Sequence, residues 1–76
     1  MNENLLDFIM CEIRNYLNAR PESADTLEGI HNWWIRWPDV AESQMITADA
    51  LQRLEAQGFL EQKNIGSRVL WRRKRN

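Results

Sequence analysis

The sequence predicts a fold of the α+β class, mainly α, in which three helices are followed by a C-terminal two-stranded β-hairpin. Three observations carry this expectation. Apolar residues recur at three- and four-residue spacing in three separated runs. Gly58 closes the third run, and two short strand-like runs follow it, divided by Asn64-Ile65-Gly66-Ser67. Cationic side chains gather after residue 60, as expected of a basic hairpin and tail.

A chain of 76 residues has the size of one domain, 1–76. At that length only about 60% of the unfolded chain's surface is buried on folding, so the core is thin. Cys11 is the single cysteine and His31 the single histidine. That excludes an intramolecular disulfide and a structural zinc site, and neither metal nor cofactor is expected. One reduced cysteine suits a cytoplasmic protein. The segment 1–4 lacks the basic region of a signal peptide. No apolar run approaches the length of a membrane span, so no membrane partner is expected.

The net charge of −1 hides an asymmetry. Residues 1–60 hold four arginines against ten acids, a net −6. Residues 61–76 hold Lys63, Arg68, Arg72, Arg73, Lys74 and Arg75 against Glu61, a net +5. A basic terminus on an acidic body points to nucleic acid or another anionic surface. The plainer alternative is a solvated tail that keeps a strand edge soluble.

The first helix is expected at about 5–19. Leu6, Ile9, Met10, Ile13, Tyr16 and Leu17 line one face. Asn2 or Asn4 is its candidate cap. Pro21 stops it, having no N–H and disfavouring helical geometry at Arg20. Leu5 and Phe8 widen the stripe, either to broaden the core face or to meet a second subunit. Cys11 reads as a small hydrophobe at the core edge.

The second helix is expected at about 26–35. Asp25-Thr26-Leu27-Glu28 fits a capping box, with Glu28 reaching back to the cap. Leu27, Ile30 and Trp34 form its stripe. Gly29 inside it costs about 1 kcal/mol against alanine, which suggests close approach by another backbone. His31 is placed on the polar side. Trp33, Trp34 and Trp37 fall within five residues and cannot share one helical face, adjacent positions being about 100° apart. Trp33 and Trp37 either cover the core from outside or form a patch for a partner.

The third helix is expected at about 43–57. Ser43 is its candidate cap, although Asp39 could start it earlier. Ile46, Ala50, Leu51 and Leu54 form the inner stripe, and Gly58 is the C-cap glycine. The outer face is then Gln44, Thr47, Ala48, Gln52 and Glu55, with Asp49 and Arg53 at its margins. The hairpin strands are expected at about 59–63 and 68–73. Phe59, Leu60, Val69, Leu70 and Trp71 supply its apolar contacts. Which of each adjacent pair points inward is open in runs this short.

Three helices and a basic hairpin, in that order, resemble the winged helix-turn-helix superfamily. Ala50 to Leu60 looks like the end of its recognition helix and its first wing strand: leucine, two residues, leucine, glutamate, two residues, glycine and an apolar pair. Ile65 to Arg72 resembles the wing and its returning strand. The resemblance spans most of the chain with motifs of low specificity. It implies a small DNA-binding regulator whose third helix enters the major groove. Carried onto this chain, the base-facing candidates are Gln44, Thr47, Gln52 and Arg53. Lys63, Arg68, Arg72 and Arg73 of the wing would meet phosphates. A dimer is implied, since one module reads one half-site. The chain departs from the pattern in placing Asp49 and Glu55 on the third helix and in its long link from Trp34 to that helix.

Two functions are therefore expected: a double-stranded DNA binder, or a protein-interaction module on the same scaffold. For the second, Leu5, Phe8, Trp33 and Trp37 are the partner-binding candidates. No enzymatic activity is expected, because no glycine-rich phosphate loop, metal cluster or nucleophile–base pair appears in the sequence.

Overall fold

A computed structural model describes the backbone of residues 3–75 and the side chains of residues 4–75. Helix α1 (Glu3–Ala19) leads into a short strand β1 (Ala24–Asp25). Helix α2 (Leu27–Gly29) continues as a wider π-helical stretch, Ile30–Trp34. Helix α3 (Gln44–Ala56) is followed by strands β2 (Leu60–Ile65) and β3 (Arg68–Arg73). The class is α+β, with three helical segments and one antiparallel sheet.

The sheet corrects the expected two strands to three. Its order is β1-β3-β2, with Ala24 opposite Arg72 and Asp25 opposite Trp71. Two residues are too few to carry an alternating pattern, so β1 exists only through its partner. The hairpin is also longer than expected. Ile65 pairs with Arg68 and Asn64 with Val69, which leaves Gly66-Ser67 as a two-residue turn. Gly66 has φ +61° and Ser67 has no positive φ, the pattern of a turn with glycine first, whose twist suits a hairpin.

All three helical segments and both long strands contribute to one core. Leu6, Ile9, Ile13 and Leu17 of α1 meet Ile30 and Trp34, then Ala50, Leu51 and Leu54 of α3, with Leu60 and Trp71 from the sheet. Most of this follows the expected stripes. Cys11 does not: it is exposed, and its neighbour Glu12 is buried instead. Asn4 lies within α1 and so is not its cap, and Asn2 lies outside the described residues. Helix α1 ends at Ala19, one residue before Arg20-Pro21.

The start of α2 shifts by one position. Thr26 is the cap, its Oγ1 accepting from Gly29 N–H at 3.2 Å. The Asp25 carboxylate accepts from Thr26 N–H at 2.7 Å, and Glu28 stays exposed outside any capping box. A Cβ on Gly29 would lie 2.1 Å from Asp25 Oδ1. The close approach is therefore the Asp25 side chain, not a second backbone.

The helix ends at Trp34, because Ile35 is already extended at φ −103° and ψ 125°. Trp37 then folds back across the end. Its Nε1–H donates to His31 C=O at 2.8 Å and satisfies a carbonyl that the helix terminus leaves open. Trp33 and Trp37 consequently do not share a face.

His31 is not on the polar side. It is buried, its Nδ1 hydrogen-bonded to Thr47 Oγ1 at 2.7 Å and its ring packed 5.0 Å from that of Trp37. The tight helix exit of α3 follows expectation. Ser43 Oγ accepts from Met45 N–H at its start. At its end Gly58 has φ +82°, Gly58 N–H donates to Glu55 C=O, and Phe59 N–H donates to Leu54 C=O. That paired arrangement closes the last turn and aims the chain directly into β2.

Glu12 anchors the link that follows Trp34. It accepts from Arg36 backbone N–H at 2.9 Å and from Arg36 Nε at 3.2 Å, with Nη2 3.3 Å from its second oxygen. The Arg36 side-chain hydrogen bonds hold the Glu12 carboxyl below the usual carboxylate range, against the opposing effect of burial. A carboxyl depressed on folding adds stability above its unfolded pKa of about 4.3 and loses it as pH falls through the folded value. Glu12→Gln is expected to be less stable than the parent at neutral pH and to lose less stability on acidification below about pH 4. Urea unfolding at a series of pH values measures both; parallel curves would contradict the assignment.

Candidate nucleic-acid interface

Antiparallel pairing sorts the hairpin side chains onto two faces. Trp71 is buried, so it and its partner Gln62 face the helices. The opposite face carries the pairs Glu61–Arg72, Lys63–Leu70 and Ile65–Arg68. Lys63, Arg68 and Arg72 thus stand on one face, while Arg73 lies on the other with its guanidinium 5.5 Å from the Phe59 ring centre.

These cations are not equivalent. Arg72 is half-buried and ion-paired to Glu61 at 2.7 Å. Arg75 is paired to Glu22 at 2.6 Å. Among the described residues Lys63, Arg68 and Lys74 are exposed and make no ion pair. Lys74 also donates its backbone N–H to Phe59 C=O, which ties the start of the tail to the hairpin base. The partly exposed pairs are worth about 0–1 kcal/mol each, so an incoming phosphate can compete for their arginines.

The hairpin lies beside the C-terminal half of α3, where Gln62 Nε2 donates to both Glu55 carboxylate oxygens at 3.2 Å. On α3 itself, Gln44, Gln52 and Arg53 are exposed as expected. Arg53 is held by Asp49 at 3.3 Å, one helical turn away. Thr47 departs from expectation: it is fully buried against His31 and is removed from the outer face. In its place Met45 stands 81% exposed beside Gln44. An apolar residue next to the Ile46 stripe carries no outward signal in the sequence, so Met45 is absent from the expected base-facing set. Ala48, one turn on from Gln44, is half-buried and completes a shallow strip from Gln44 to Gln52.

The aromatic candidates separate into two places. Trp33 is 77% exposed and borders an open groove of about 450 Å³ with Tyr16, Trp34, Arg20 and Arg36. Within it the Tyr16 and Trp34 rings stack at 4.5 Å, and the Arg20 guanidinium sits 4.8 Å from the Tyr16 centre. Leu5, Phe8 and Trp37 come together elsewhere, in a smaller groove with Pro38 and Val40.

The described residues include no group of three or more His, Cys, Asp or Glu side chains placed to hold a metal ion. Among them no helix is long and apolar enough to cross a membrane. No family model, curated protein or solved structure matches the chain.

Proposed function

We propose that this chain is a winged helix-turn-helix DNA-binding module of the transcription-regulator type. The observation that carries the reading is the exposed hairpin, which presents Lys63 and Arg68 on one face with no internal partner. The Gly58 exit couples that hairpin to α3, whose strip of Gln44, Met45, Ala48 and Gln52 runs beside the Asp49–Arg53 ion pair. In this reading the glutamines pair with base edges and the hairpin cations grip phosphates. Asp49 neutralises Arg53, so Arg53 contributes less than its charge suggests. Each copy reads one half-site, and two copies occupy a full site.

Affinity for duplex DNA measured against salt tests this. Three to five phosphate contacts give a slope of about −3 to −4.5 in log K against log salt. Lys63→Ala with Arg68→Ala should flatten that slope by about 2 units, since each neutralised phosphate contributes about 0.9. Undetectable binding near roughly 50 mM salt, a condition that favours phosphate contacts, would remove the reading.

One observation favours a second reading, a protein-interaction module on the same scaffold. Trp33 is a large exposed aromatic that contributes little to the core, and exposed apolar patches on small domains mark contacts. Weaker DNA binding by Trp33→Ala at an unchanged salt slope would place Trp33 in the nucleic-acid contact instead.

A further inference from the structure

The second groove has a chemistry of its own. It is lined by Leu5, Phe8, Trp37, Pro38 and Val40, with Asp39 and Glu42 at its edge, and encloses about 220 Å³. Val40 is 71% exposed, and the Phe8 and Trp37 rings lie 6.3 Å apart at 53°. Trp37 is fixed by its hydrogen bond to His31 C=O, so its ring is presented rather than free to fold away. Both charged residues lining the groove are acidic, and neither makes an ion pair among the described residues.

The groove is also distant from the hairpin base. Arg14 bonds Gln57 and sits 5.7 Å from the Phe59 ring centre. Leu5 and Phe8 lie six to nine residues earlier on the same helix, roughly 9–14 Å away along its axis.

We propose that this groove docks a cationic amphipathic segment of a partner protein. One apolar side chain seats against Phe8, Trp37 and Val40, and a flanking lysine or arginine meets Asp39 and Glu42. Charge selects this occupant. A second copy placed by two-fold symmetry sets Asp39 and Glu42 against acidic edges of the same kind, which opposes association. The chain's own basic run 72–75 consists of charged residues only and brings no apolar anchor. Nucleic acid and anionic lipid are repelled by the same carboxylates. The inference stands independently of DNA binding by the hairpin.

The test uses the full chain and two amidated peptides of about 15 residues, long enough to form a helix on a surface. One carries leucines at helical spacing among lysines; the other replaces every lysine by glutamate. Heteronuclear NMR titration should shift the Trp37 indole signal and the amides of residues 5–8 and 37–42 with the lysine peptide only. Asp39→Asn with Glu42→Gln should weaken that binding roughly tenfold. Val40→Asn, at an exposed position and without change of charge, should weaken it further by removing the apolar contact. Equal response to both peptides, no response to either, or shifts confined to the Trp33 groove or the hairpin would each overturn the proposal. So would concentration-dependent dimerisation that Val40→Asn removes, because it would assign the face to a second copy.

Discussion

Trp34→Ala is expected to destabilise the domain by about 3–5 kcal/mol, while Trp33→Ala changes stability by no more than about 0.5 kcal/mol. The two residues are adjacent in sequence and opposite in environment. Trp34 is 4% exposed and stacked on Tyr16, in contact with the cluster that joins α1 to α3. Its removal forfeits the burial of a large ring, the stacking contact and the close packing of everything around the void. A domain this small has little stability to lose, and 1 kcal/mol moves its Tm by roughly 4–8 °C. The Trp34 variant should therefore melt at least roughly 12 °C lower, and thermal unfolding followed by circular dichroism reads the difference directly. Equal melting shifts for the two variants would mean that the second helix is rotated from the position described.

The second large effect is expected at a threonine. Thr47→Val should cost about 1–3 kcal/mol, although it preserves shape and adds apolar character to a fully buried site. The reason is the imidazole opposite. His31 Nδ1 has its hydrogen bond to Thr47 Oγ1, and the valine leaves a buried polar atom without that partner. Thr47→Ser retains the hydroxyl and should recover part of the loss, less the cost of the deleted methyl group. Urea unfolding of the three proteins separates these contributions. If Thr47 stood on an outer, groove-facing surface, the valine variant would unfold with the parent and only DNA affinity would change.

The same residue shows where sequence reading stops. Polarity, not spacing, puts Thr47 on the outer face of the expected helix, since its position matches the three- and four-residue spacing of Ala50, Leu51 and Leu54. Neither registers that His31, one helix away, turns inward to meet Thr47. A buried polar pair satisfies itself and leaves no apolar signature at either position. Glu12 is likewise invisible to periodicity: its buried carboxylate is satisfied by the backbone N–H and the exposed guanidinium of Arg36, 24 residues away. Thr26 took the capping role from Asp25 by a shift of one residue, a distinction that depends on which oxygen reaches which N–H.

The interface candidates were unevenly legible. Lys63 and Arg68, which charge and the wing resemblance single out, stand exposed on the hairpin. Arg72 carries the same sequence signal, but strand register sets it opposite Glu61. Leu5, Phe8 and Trp37 meet in one groove, while Trp33 opens onto another, because the helix ends between the two tryptophans. The acids that give the groove of Leu5, Phe8 and Trp37 its character, Asp39 and Glu42, lie in the link before α3, where no periodic pattern marks them.

By itself, then, the sequence determined three apolar helical stripes, the glycine exit from the third helix, the hairpin and the basic end of an acidic chain. Those features arise from interactions between residues close along the chain, where spacing alone dictates which side chains share a face. Tertiary structure alone decided the third strand, the hydrogen bond between His31 and Thr47, and the ion pairing of Arg72. Each of these depends on a partner distant in sequence, and local periodicity carries no information about what lies across the core.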